Sequence, residues 1–87
     1  MAIINKKVWL GYFDDLVSGK KKFELRLNDF EVHEGDTLVL QEWNQNTKEY
    51  TGRQIEKKVT YVLKTKDNNF FSPEDIEKYG YQAISLE

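Results

Sequence analysis

Apolar and polar residues change their spacing several times along this chain, and each change marks an element. Residues 3–8, IINKKV, suit an opening strand. From Trp9 to Val17 the period lengthens. Phe13, Leu16 and Val17 stand at i, i+3 and i+4, one face of a short helix within residues 10–18. Gly19 is placed to end that helix in the left-handed conformation, and the lysines behind it sit at the negative end of the helix dipole. KFELR, residues 22–26, alternates with period two, so Phe23 and Leu25 share one face and Lys22, Glu24 and Arg26 the other. LNDFEVHEGD is a turn-rich connection. TLVLQEW reads as a strong strand with Leu38 and Leu40 on one face. NQNTKEYTG is a hairpin loop, and RQIEKKVTYVL returns with Ile55, Val59, Tyr61 and Leu63 on one face.

The C-terminal quarter holds the clearest local signal. In SPEDIEKYG, Ser72 caps a helix over residues 73–79, Pro73 takes its first position, Glu74 and Asp75 fill its first turn and Gly80 ends it. KTKDNN before it is a polar loop, and YQAISL after it is a closing strand. The order is β-α-β-β-β-α-β in a single domain spanning residues 1–87. About five short strands without long crossover helices fit an α+β chain built as a small, closed or partly closed barrel. Trp9, Phe13, Tyr61 and Tyr79 are expected in its core.

Composition narrows the chemistry. With 39% hydrophobic and 32% charged residues the chain is globular and not disordered. The absence of cysteine removes disulfides and thiolate metal sites, and one histidine, His33, is too few for a histidine metal cluster. No metal and no cofactor is expected. MAIINKKVWLGYF contains no long apolar run, so the expectation is neither signal peptide nor membrane span, and a cytoplasmic location. A net charge of −2 argues against coating duplex nucleic acid through bulk charge. It leaves room for a local basic site at residues 20–26, where four cations face one anion.

Residues 19–26, GKKKFELR, fit G-x-K-x-x-E-x-R without a gap, with Gly19, Lys21, Glu24 and Arg26 at the fixed positions. This motif resembles that of the ASCH domain, a branch of the PUA-like barrels. A helix ending in SG before it, an EGD turn and apolar strand after it, and the hairpin beyond are similar to the small stand-alone ASCH-type proteins of bacteria, archaea and phages. The resemblance implies a PUA-like β-barrel with a cleft bordered by the motif, and an RNA or nucleotide-like ligand. Some family members resemble amidohydrolases that deacylate an acetylated cytidine, using a lysine, a threonine three residues on and a distal glutamate; others resemble ribonucleases. Here Lys21 matches the lysine, but Glu24 stands at the threonine position.

Three functions stay open. The first is a module that binds RNA or a modified nucleoside through Lys21, Glu24 and Arg26. The second is an enzyme in which a desolvated Lys21 is the base and Glu24 or Glu42 its carboxylate partner. The third is a protein-interaction domain. Strict alternation sets Lys21 opposite Glu24, so joining them requires a bend near residues 20–22, which Gly19 permits. Glu42 falls on the face of Leu38 and Leu40, so it either lines the cleft or marks where the strand leaves the core. Trp43 and Tyr50 flank the hairpin and can stack on a base, although core packing is the ordinary use of Trp43. Asp14 and Asp15 point apart on a helix and do not form a carboxylate dyad.

Overall fold

Val8, Phe13, Leu16 and Leu40 meet in one buried cluster, with Leu38 and Ile55 packed against it. In the computed structural model, which describes residues 1–66 and 70–85, that cluster joins a helix to one face of a three-stranded sheet. The elements are β1 (Ile3–Trp9), α1 (Tyr12–Ser18), β2 (Thr37–Asn44), β3 (Glu49–Lys58) and α2 (Pro73–Tyr79). The sheet order is β1-β2-β3, with β2 central. β1 runs parallel to β2, from Ile3↔Thr37 to Trp9↔Trp43, and β2 and β3 form an antiparallel hairpin.

Period two divides the sheet into two faces. Val8, Leu38, Leu40 and Ile55 point to the α1 face, where Phe13 and Leu16 meet them. A parallel pair needs a covered crossover. Here α1 and residues 19–36 are that crossover. Gly19 closes α1 at φ 81, in the left-handed region, and its N–H reaches the Leu16 carbonyl. Phe13 and Leu40 are fully buried, which is worth roughly 1.5–3 kcal/mol for each side chain.

Asp36 locks the start of β2. Its Oδ1 accepts from the Ala2 N–H at 2.8 Å and its Oδ2 from the His33 N–H at 2.9 Å. These bonds, that to Ala2 foremost, hold the Asp36 carboxyl below its ordinary value against the opposing effect of burial.

Both expected helices are present, the first beginning at Tyr12. Two expectations are corrected, and a third goes beyond the sheet that is seen. β3 starts at Glu49, inside the expected hairpin loop, and ends at Lys58, so Val59–Leu63 extends beyond the ladder. Trp9, Tyr61 and Tyr79 are not core residues; Tyr61 is 72% and Tyr79 73% exposed. Residues 22–26, which alternate, and residues 81–85, expected as the closing strand, have no ladder partner among the described residues. Alternation fixes which side chains share a face, whereas a strand also needs a neighbour for its N–H and C=O groups. Residues 67–69 of the expected polar loop, residue 86 of the closing strand and residue 87 lie outside the described residues.

α2 forms by local chemistry. Ser72 Oγ accepts from the Asp75 N–H at 3.2 Å, Pro73 opens the helix, and the Gly80 N–H reaches Ile76 O at 2.8 Å. No residue of α2 is buried. No helix among the described residues is long and apolar enough to cross a membrane.

Candidate functional site

The α1 face of the sheet is only partly covered, and the uncovered part is a groove of about 580 Å³. Leu16, Leu38 and Leu40 form its floor. Residues 21–30 make one wall, with Phe23, Leu25 and Leu27; residues 57–65 make the other, with Tyr61 and Leu63. Apart from Lys57 and Lys58, which end β3, neither wall pairs in the sheet among the described residues. Phe30 is held in its wall by the Lys6 ammonium, 3.7 Å from the ring centre.

The groove is charged unlike the rest of the molecule. Lys21, Lys22 and Arg26 line one wall and Lys57 and Lys64 the other, while Lys58, partner of Thr37, turns its side chain to the opposite face; Glu24 is the sole carboxylate among the lining residues. The chain as a whole has 13 basic and 15 acidic residues. Five of the 13 cations therefore border one groove in a protein of net charge −2.

The motif side chains converge at this wall. Arg26 donates to Glu24 Oε2 from Nε at 2.8 Å, and its Nη2 lies 2.8 Å from the same oxygen. Lys21 Nζ stands 3.6 Å from Glu24 Oε1. The conflict between alternation and convergence is resolved by the backbone. In an extended ladder residues i and i+3 point apart, but residues 19–27 are in no ladder, and the Lys21 N–H folds back to the Asp15 carbonyl at 3.0 Å. The bend lies where Gly19 releases the chain from α1. Tyr12 and Phe23 flank the Lys21 ammonium at 4.8 and 5.3 Å. Arg26 Nη2 also donates to the Lys7 carbonyl at 2.7 Å, which fastens the wall to β1.

The other three candidate residues lie elsewhere. Glu42 is buried, but it does not line the groove. Its Oε1 accepts from the Thr51 hydroxyl at 2.6 Å, and its Oε2 is 3.4 Å from Arg53 Nη1. Arg53 in turn reaches Asp14 Oδ1 at 3.1 Å and lies over the Phe13 ring. Glu42 is thus a paired carboxylate beside the core and not a partner of Lys21. Trp43 and Tyr50 are cross-strand neighbours with centroids 4.9 Å apart, on the sheet face away from the groove. Thr51 and Arg53 were not legible as partners of Glu42, and the available signal was Gly52. A glycine inside a strand marks a bulge, and Gly52 adopts φ +93 where the ladder shifts register opposite Glu42. Lys57 and Lys64 were likewise missed, because a lysine on a returning strand reads as part of a solvated face until the opposite wall is known.

The groove offers apolar floor for a flat ring and fixed cations for an anion. No group of three or more metal-ligating side chains occurs among the described residues.

A protein of Escherichia phage P2, described as an uncharacterized 12.9 kDa protein in the GpA 3' region, is 41% identical over 68 residues. The match covers 77% of this chain, which spans 61% of the phage protein's length. Residues 4–75, from β1 through the groove walls into α2, match the domain of unknown function DUF3850. The chain belongs to the DUF3850 family.

Proposed function

We propose that this domain binds a nucleotide-like ligand or RNA in the groove between residues 21–30 and 57–65. The observation that carries the reading is the charge segregation: five cations on two facing walls, one carboxylate, and an apolar floor. A nucleotide presents the complement of that surface, a flat ring with polar edges and an anion beside it. Arg26 offers the planar fork that suits phosphate, and Lys21 a point charge next to it. Glu24 holds both cations in place, 3.6 Å from Lys21 and 2.8 Å from Arg26. Its carboxylate is an acceptor for a base amino group when phosphate takes over the cations.

The likeness of GKKKFELR to the ASCH motif supports the same reading, and with it a finer architecture. In that architecture residues 22–26 and 81–85 act as fourth and fifth strands of a PUA-like barrel whose gap is the groove. The alternating apolar residues on both groove walls favour it. The deacylase reading has less behind it: Glu24 replaces the threonine, and Glu42 is committed to Thr51 and Arg53.

Thermal unfolding with a panel of nucleosides, nucleoside monophosphates and modified cytidines, followed by product analysis, tests this. A ligand at 100 times its Kd adds about 2.7 kcal/mol to stability. Nucleoside monophosphates should raise the midpoint more than nucleosides, and Lys21→Ala should abolish the difference. No shift with any of them sinks the proposal and leaves a protein-interaction domain; a deacylated product makes the groove an active site.

A further inference from the structure

The sheet face away from the groove carries three aromatic rings in a row. Trp9 is the register partner of Trp43 in the parallel ladder, and Trp43 that of Tyr50 in the antiparallel one. Register partners share a face. The rings of β1, β2 and β3 therefore lie side by side across the sheet, over roughly 10 Å, two interstrand spacings. Packing accounts for Trp43, which is half-buried and meets Tyr50 edge to face, but not for its two neighbours: Trp9 is 53% and Tyr50 57% exposed. Large side chains left open together mark a contact surface more often than an isolated one does.

What surrounds the rings narrows the partner. The next row on this face is Lys7, Gln41 and Gln54, again register partners. Lys7 Nζ lies 4.1 Å from the Trp43 ring centre, so a cation is already seated among the aromatics. The two glutamine amides each offer donors and an acceptor at the edge of the ring row. The acidic member of this face, Glu56, stands one row further still, opposite Val39. An apolar protein partner has no use for a cation and two amides beside the rings. Unstacked bases on a phosphate chain use all three.

We propose that this face binds single-stranded nucleic acid. Bases stack on Trp9, Trp43 and Tyr50, the Gln41 and Gln54 amides meet base edges, and Lys7 turns from the Trp43 ring to a phosphate. Stacking platforms of this kind tolerate sequence, because every base has a π-face. The inference does not rest on the groove, which opens on the opposite face.

Both tryptophans of the chain lie in this row. None lines the groove. Tryptophan emission therefore reports on this face alone. A short single-stranded oligonucleotide of mixed sequence should quench it at low salt, and a nucleoside monophosphate, too short to span the row, should quench it little. With a labelled oligonucleotide read by anisotropy, Trp9→Ala and Tyr50→Ala should each weaken binding about tenfold, in line with the loss of one stacked base. Both residues are more than half exposed, and circular dichroism checks that the variants fold. Duplex of the same sequence should bind more weakly. Absent quenching at low salt, or anisotropy titrations unchanged in both variants, would overturn the proposal. In the second case any binding belongs to the groove, whose own test is the mononucleotide shift.

Discussion

The Thr51 hydroxyl donates to Glu42 Oε1 at 2.6 Å across a break in the β2–β3 ladder. Gln41 pairs with Gln54 and Trp43 with Tyr50, so Thr51, Gly52 and Arg53 stand against Glu42 alone. Gly52 takes the left-handed conformation in the middle of this bulge, which lets Thr51 and Arg53 both turn to one carboxylate. Glu42 is 3% exposed, and a carboxylate so placed is costly unless it is paired.

Thr51→Val tests that pairing. It keeps the shape and removes the donor nearest the buried oxygen. The expected loss is about 1–3 kcal/mol, read as a lower urea midpoint with unchanged m. Arg53→Ala should cost less, about 1 kcal/mol or under, because its guanidinium is half exposed and longer in reach. The reverse ranking would show that the guanidinium over Phe13, and not the hydroxyl, holds Glu42.

Acid stability should depend on Asp36. Its folded-state pKa lies below the ordinary 3.8 because the Ala2 and His33 N–H groups favour the charged form. A depressed carboxylate contributes stability that is present above 3.8 and lost as pH falls through its folded-state value. Asp36→Asn should therefore lower stability at neutral pH and flatten the acid limb of the stability curve. Unfolding midpoints of both proteins from neutral pH to below 3.8 decide it, and parallel curves would count against the lock.

Arg26 fastens the groove wall, whereas Lys21 rests on it. Arg26 joins Glu24 to the Lys7 carbonyl, and only a fork can reach both. Arg26→Lys should then fail to rescue Arg26→Ala, each losing about 1–2 kcal/mol in chemical denaturation. Lys21→Ala should stay within about 0.5 kcal/mol of the parent. A large loss at Lys21 would make it a structural residue.

The elements that were legible in the sequence are those fixed by local chemistry or by a continuous pattern. Ser72, Pro73 and Gly80 announce α2, Phe13 and Leu16 announce α1, and Leu38 and Leu40 announce β2. What could not be read depends on partners distant in the chain. VTYVL and KFELR have the pattern of strands, but pairing is a property of two segments. Trp9 looks like a core residue by type; its neighbour across the ladder, Trp43, is what puts it on the open face. The Lys21–Glu24–Arg26 convergence was readable from motif spacing only because Gly19 allows a bend that alternation alone forbids. The second cationic wall was invisible, since residues 57–64 join the site through the fold and not through sequence proximity.

Salt dependence measures how many of those cations a bound strand engages. The sequence alone offers one cluster, residues 20–26, and a slope of log K against log salt of about −1 to −3 for single strands. The folded groove adds Lys57 and Lys64 on the facing wall. Each phosphate neutralised contributes roughly −0.7 for a single strand. Glu24 offsets one of the five groove cations, so two to four phosphates, and a slope of about −1.4 to −2.8, are expected. Lys57→Ala and Lys64→Ala should each flatten the slope by about one phosphate's worth while leaving base preference unchanged. Glu24→Gln should do the opposite, changing the preferred base with little effect on the slope, because it alters an acceptor for a base edge. Titrations of one single-stranded RNA at several salt concentrations, repeated for these variants, carry the decision. A slope untouched by Lys57→Ala and Lys64→Ala would confine the phosphates to the 20–26 wall and remove the facing wall from the site.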